Sequence, residues 1–121
     1  MATILVVDDD EQLCTLVARL LTAAGHEVSL AMSGGEALEQ LGSRTFDVML
    51  LDLVMPGKGG IETIMEIRTI SPGLPIIVMS GQVTFGDASI TRLVEHYGAL
   101  AVLSKPFSSD ELNDAVTAAL A

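Results

Sequence analysis

The 121-residue sequence predicts an α/β fold, a single parallel sheet of five strands in the order 2-1-3-4-5, doubly wound with five helices on both faces. Three observations carry this. Short runs rich in Val, Ile and Leu alternate five times with segments whose apolar residues recur at helical spacing. The links between them are short, as right-handed strand–helix–strand crossovers require. Val48-Met49-Leu50-Leu51 runs without a polar break into Asp52, the pattern of a strand buried on both faces.

Taken in order, Thr3 to Val7 is the first strand, followed by Asp8-Asp9-Asp10-Glu11. Leu13, Leu16, Val17, Leu20, Leu21 and Ala24 mark the first helix, acids favour its first turn, and Gly25 stands where it should stop. His26 to Ala31 reads as the second strand. Ser33 and Glu36 form a capping box for a helix through Leu41. Asp47 to Asp52 is the third strand, and Pro56-Gly57-Lys58-Gly59-Gly60 a glycine-rich loop. Ile61, Ile64, Met65, Ile67 and Ile70 mark the third helix, stopped by Ser71-Pro72-Gly73. Ile76 to Met79 is the fourth strand, ending in Ser80-Gly81. A loop to Gly86 and a helix from near Asp87 to Tyr97 follow, with Gly98 as the stop. Ala99 to Leu103 is the fifth strand. Ser108 and Glu111 cap a last helix with Leu112, Ala115, Val116, Ala119 and Leu120 on its apolar face.

Composition narrows the function. Half the residues are hydrophobic, enough for one core over residues 1–121, which read as one domain without linker or repeat. Aromatics are scarce and Trp is absent, so aliphatic side chains and Met must fill the interior. No apolar run reaches membrane-spanning length and no signal peptide opens the chain, so a cytoplasmic location is expected. The lone Cys14 is a core residue by its spacing and cannot form an internal disulfide. Sixteen acids against six Lys and Arg give a net charge of −10, which argues against nucleic-acid binding by this domain.

The candidate site follows from the strand order. The carboxyl ends of the strands bring Asp8, Asp9, Asp52, Ser80 and Lys105 to one edge of the sheet, where open α/β sheets bind ligands. Taken singly, each has an ordinary reading as helix cap, turn residue or solvated charge. Together they do not. Neighbouring carboxylates repel unless a cation intervenes, and Mg2+ suits a site of carboxylates, waters and phosphate oxygens. A hydroxyl and a lysine opposite complement an anion, and a carboxylate can itself be the nucleophile toward a phosphoryl group. Asp52, being central, is best placed for that.

The residues Ile4-Leu5-Val6-Val7-Asp8-Asp9, Leu51-Asp52 with Met55-Pro56-Gly57, Met79-Ser80-Gly81 and Ser104-Lys105-Pro106-Phe107 resemble a response-regulator receiver domain of two-component signalling over the whole chain. The resemblance implies the flavodoxin-like arrangement of chemotaxis regulators. It implies that Asp52 accepts a phosphoryl group from a histidine kinase or histidine phosphotransfer protein. Mg2+ is then ligated by Asp9, Asp52 and the backbone carbonyl of Val54, with Asp8 acting through water. Ser80 and Lys105 hold phosphoryl oxygens, and the Lys105–Pro106 bond is cis. Kinase contact falls to the exposed face of the first helix and the loop after the fifth strand. The domain is a signalling module rather than an enzyme, though it assists its own phosphorylation and dephosphorylation. The output protein is not named by the sequence. A free-standing regulator fits best, the alternative being a domain excised from a hybrid kinase or larger transcriptional regulator.

Three positions depart from the family. Val102 stands where many receivers carry a Tyr or Phe, so the aromatic switch is absent and the signal is expected to travel through the loop at 81–86 and the fourth helix. Phe85 and Tyr97 read as packing residues. Gly59 replaces a structural acid. Apolar Val54, with Gln82, implies slow entry of hydrolytic water. An aspartate-nucleophile phosphatase of the haloacid-dehalogenase type is excluded because its Asp-x-Asp pattern would place an acid at Val54. A degenerate, interaction-only receiver is excluded by the presence of all five site residues.

Overall fold

The computed structural model describes residues 2–52, 60–80, 96, 98 and 101–121. The strands are β1 (Thr3–Val7), β2 (Glu27–Ala31), β3 (Val48–Asp52), β4 (Ile76–Ser80) and β5 (Ala101–Ser104). The helices are α1 (Glu11–Ala23), α2 (Gly34–Ser43), α3 (Gly60–Ile70) and α4 (Ser109–Leu120). All strand pairs are parallel, in the order β2-β1-β3-β4-β5. The expected loop at 81–86, the helix over 87–97, Phe85, Tyr97 and the loop at 53–59 lie outside the described residues. No helix among the described residues is long and apolar enough to cross a membrane.

The central strands are apolar throughout because both faces of the sheet are covered. Ile4, Val6, Val48, Leu50, Ile77 and Met79 share one core with Cys14, Val17 and Leu21 of α1 and Leu112 and Val116 of α4. Leu5, Val7, Met49, Leu51, Ile76 and Val78 share the other with Ala37 of α2 and Ile64 and Ile67 of α3. Alternate residues of each strand therefore serve opposite layers, as the pleat dictates. β2 is an edge. Gln40 donates to the Leu30 carbonyl at 2.8 Å, and Arg44 bonds Ser29 and Glu27 at 2.9 and 3.0 Å. The Gln40 bond occupies a main-chain carbonyl that a second chain could otherwise pair with.

Helix ends follow local chemistry. Asp10 caps α1 by accepting from the Leu13 amide. Gly25, at φ +95°, takes the left-handed turn that stops α1, with the Gly25 and His26 amides on the Thr22 and Leu21 carbonyls. Ser108 and Glu111 make the full reciprocal capping box on α4. At α2 only half of that pattern forms. Ser33 accepts from the Glu36 amide, but the Glu36 carboxylate reaches past the cap to the Met32 amide. α2 also runs two residues past Leu41, to Ser43.

Helical phase is where the sequence reading needs correction. The spacing puts Leu16 on the core face of α1, yet it is 53% exposed while Cys14 is fully buried. One residue is 100° around a helix, so the stripe centred on Cys14, Val17 and Leu21 leaves Leu16 outside. In α3, Ile64 and Ile67 are buried with Thr63, and Met65 and Ile70 are half exposed.

Gly34, first in α2, lies against buried Thr63 of α3. A Cβ there would stand 2.5 Å from Thr63 Oγ1 and 3.3 Å from its Cγ2. Propensity favours Ala in a helix, but the contact forbids it. Gly34→Ala is expected to lower stability by about 1–3 kcal/mol, the usual cost of overpacking. Urea unfolding measures this, and Thr63→Ala in the same background should recover part of the loss. A variant more stable than the wild type would show that α2 and α3 separate without cost.

Cys14 donates its thiol to the Asp8 carbonyl at 3.3 Å. Burial, then the charges of Asp8 and Asp10, push its pKa up to about 11. The thiolate is the reactive form, so at pH 8 the folded protein should react with iodoacetamide at least about 100-fold more slowly than the urea-unfolded chain. Equal rates, followed by mass spectrometry, would contradict the buried neutral thiol.

Candidate functional site

Each site residue is set by the end of a strand. β1 ends at Val7, and the Asp8 amide continues the ladder by donating to the Ala31 carbonyl at 3.1 Å. β3 ends at Asp52, paired with Met79, and β4 ends at Ser80, paired with Ser104. Lys105 follows directly, its amide donating to the Ser80 carbonyl at 3.0 Å. The Lys105–Pro106 bond is cis, as the family resemblance implied.

Asp8, Asp52 and Ser80 are almost fully buried, at 1%, 3% and 1% exposure, whereas Asp9 is exposed. One carboxylate oxygen from each of Asp8, Asp9 and Asp52 lies within 4.8 Å of the others. Lys105 spans two of these acids, with Nζ 2.6 Å from Asp8 Oδ2 and 3.4 Å from Asp52 Oδ2. The other Asp8 oxygen accepts from the Asp10 amide at 2.9 Å. Asp8 is thus held through its amide, its carbonyl and both carboxylate oxygens.

Burial alone would lower the Lys105 pKa. The hydrogen bond to Asp8 and the charges of Asp52 and Asp8 outweigh it, so the pKa is raised and the ammonium is secured. The donor set suits a hard divalent cation: closely spaced carboxylates, one of them open to solvent, on rigid strand ends.

Four of the five side chains expected at this edge are therefore brought together: Asp8, Asp9, Asp52 and Lys105. Ser80 is buried at the end of the neighbouring strand. Val54, Gln82, Lys58 and Gly59 lie outside the described residues. The sequence reading missed two supports. Cys14 braces the Asp8 carbonyl, a contact that no spacing rule marks. The Asp10 backbone amide holds an Asp8 oxygen, a contact with no sequence signal.

Known proteins agree with this geometry. A family model for the response regulator receiver domain matches residues 4–117. The transcriptional regulatory protein ZraR of Escherichia coli O157:H7 is 41% identical over 120 residues, covering 98% of this chain and 26% of ZraR. The DNA-binding transcriptional regulator NtrC of Klebsiella pneumoniae is 37% identical over 106 residues, 88% of this chain and 22% of NtrC. The chain thus spans about a quarter of the length of these relatives. The chemotaxis protein CheY4 of Vibrio cholerae superposes with a TM-score of 0.91 at 30% identity, covering 99% of both chains. The response regulator TrrA of Thermotoga maritima, solved in complex with Mg2+-BeF, gives 0.85 at 32% identity, covering 99% of this chain and 100% of TrrA. By its matched sequence, strand order and acid cluster, the chain belongs to the response-regulator receiver domain family.

Proposed function

We propose that this receiver domain accepts a phosphoryl group on Asp52 from a histidine kinase or histidine phosphotransfer protein, with Mg2+ bound, and that the change alters its contact with an output partner. The observation that carries the reading is the pairing of an acid triad with a lysine at one sheet edge. The Mg2+-BeF complex of the relative TrrA supports it. Asp9, Asp52 and the Val54 carbonyl would hold the metal directly and Asp8 through water. When bound, it neutralises charge on the transferring group.

The chain's own residues supply the rest. Asp52, fixed at the end of a buried strand, presents the nucleophilic oxygen. Lys105 faces Asp52 Oδ2 at 3.4 Å and pairs with the incoming anion. Ser80 donates to another phosphoryl oxygen, and the carboxylate of Asp8 keeps Lys105 charged. The exposed α1 surface around Leu16 offers an apolar contact for the kinase. With a net charge of −10, this domain leaves any DNA contact to other parts of a regulator.

A free-standing regulator, as CheY4 covers the whole chain, is one setting. A larger transcriptional regulator is the second, favoured by the higher identity to ZraR. An antibody against this domain would decide, by detecting in the source cells a polypeptide of about this size or one several times longer.

Incubation with Mg2+ and acetyl phosphate should add one phosphoryl mass to the wild type and none to Asp52→Asn, read by intact mass spectrometry. The label should decay over minutes rather than seconds. Persistent phosphorylation of the variant would remove Asp52 from its role.

The Lys105 pair also makes a pH prediction. Its folded pKa lies above the unfolded value of about 10.4. The stabilisation is therefore fully present below that value and lost as pH rises through the folded one. In EDTA, Lys105→Met should be less stable by about 1–3 kcal/mol at pH 7, because buried Asp8 loses its cation. The gap should hold to about pH 10 and close above it. Urea titrations showing a gap that closes between pH 6 and 8 would contradict the assignment.

A further inference from the structure

Arg68 stands in the last turn of α3, where a cation favours the helix dipole. Its guanidinium does more than that. Nη1 donates to the Leu74 carbonyl at 2.6 Å and the Pro72 carbonyl at 3.3 Å, and Nη2 donates to the Gly98 carbonyl at 3.1 Å. Leu74 is 7% exposed and leads through Pro75 into β4. Gly98, at φ +71°, makes a turn open to few other residues and leads into β5. One side chain thus ties the entrances of β4 and β5 to the end of α3. A planar fork with five donors can do this, and an ammonium on a flexible stem cannot reproduce it.

The exits of the same two strands carry Ser80 and Lys105. β5 needs the support. It is four residues long, only its Leu103 is buried, and among the described residues it pairs with β4 alone. Its far end is fixed by the Lys105 amide on the Ser80 carbonyl and by the Lys105 ammonium on Asp8. Three residues before its near end, the Gly98 carbonyl accepts from Arg68.

We infer that Arg68 is a positioning residue, which sets β5 against β4 and thereby places the Lys105 ammonium over Asp8 and Asp52. The inference rests on the phosphoacceptor reading of Asp52. The acid triad itself stands at the exits of β1 and β3, whereas the Arg68 fork bonds Pro72, Leu74 and Gly98, so metal binding and phosphoryl transfer should respond differently to its loss.

The test uses the wild type, Arg68→Ala and Arg68→Lys, with Asp52→Asn as control. Calorimetry gives the Mg2+ affinity, and intact mass gives the phosphorylation rate at saturating Mg2+ and acetyl phosphate. Arg68→Ala should bind Mg2+ no more weakly than wild type, since the carboxylates stand on β1 and β3 and moving the Lys105 ammonium off Asp8 and Asp52 removes a competing cation. Its phosphorylation rate should fall about tenfold, the effect of displacing a charge-stabilising group by a fraction of an ångström. Arg68→Lys should fall between the two. If circular dichroism shows Arg68→Ala unfolded, Arg68→Lys decides by the same criteria. Wild-type rates in the deciding variant overturn the inference, as does a Mg2+ affinity that falls in step with the rate. An unphosphorylated wild type overturns the phosphoacceptor reading, and this inference with it.

Discussion

Two buried carboxylates and one exposed one, crowded within 4.8 Å, cannot stand at a sheet edge without a positive charge among them. Unit charges about 4 Å apart interact by roughly 4 kcal/mol at an effective dielectric near 20. Lys105 supplies the cation, reaching Asp8 across a sequence separation of 97 residues. Much of the topology can be understood from this requirement. The chain must pass through every strand before Lys105 arrives, and the order β2-β1-β3-β4-β5 then places it two strands from Asp52. A long lysine side chain bridges that distance, its Nζ reaching both Asp52 and Asp8.

The same sheet edge depends on how the interior is filled. With no Trp and few aromatics, the two cores are built from aliphatic side chains on alternate faces of each strand. Aliphatic packing holds strand register because a shift of one residue would exchange the two faces. Helix placement is equally constrained. Gly34 admits Thr63 where any Cβ would clash, which lets α2 and α3 approach on one face. On the other face, α1 carries Cys14 into the core beneath Asp8 and braces its carbonyl.

Local chemistry made much of this readable in advance. The capping box at Ser108, the stop at Gly25 and the buried run before Asp52 depend on residues a few positions apart, and they stand where the spacing put them. Strand order followed from handedness rules rather than from any one residue. What stayed hidden depends on distant placement. The Leu16 assignment turns on helical phase against a sheet whose position the helix alone does not specify. Glu36 chose the Met32 amide over the Ser33 amide because of where the incoming chain runs. The fork of Arg68 joins three carbonyls, one of them 30 residues away, and no spacing rule marks it. At the site, the residue types were legible, while the double pairing of Lys105 was not.

Val102 brings these lines together. It is partly buried, packs with the core on the α2 and α3 side, and pairs with Val78 across the β4–β5 ladder. A β-branched side chain is stiff at χ1, so this position cannot relay a signal by swinging a ring between two rotamers. Under the proposed reading, a change at Ser80 must then act on neighbours through the backbone. The shortest such path among the described residues is the Ser80 carbonyl to the Lys105 amide, which joins the exits of β4 and β5. The Arg68 fork joins their entrances. A strand pair held at both ends responds to a pull at one end by moving as a unit, because packed elements shift between discrete arrangements rather than bending continuously. The loss of the aromatic ring therefore places more weight on the rigidity of the β4–β5 pair, and so on the contacts that fix β5 at its two ends.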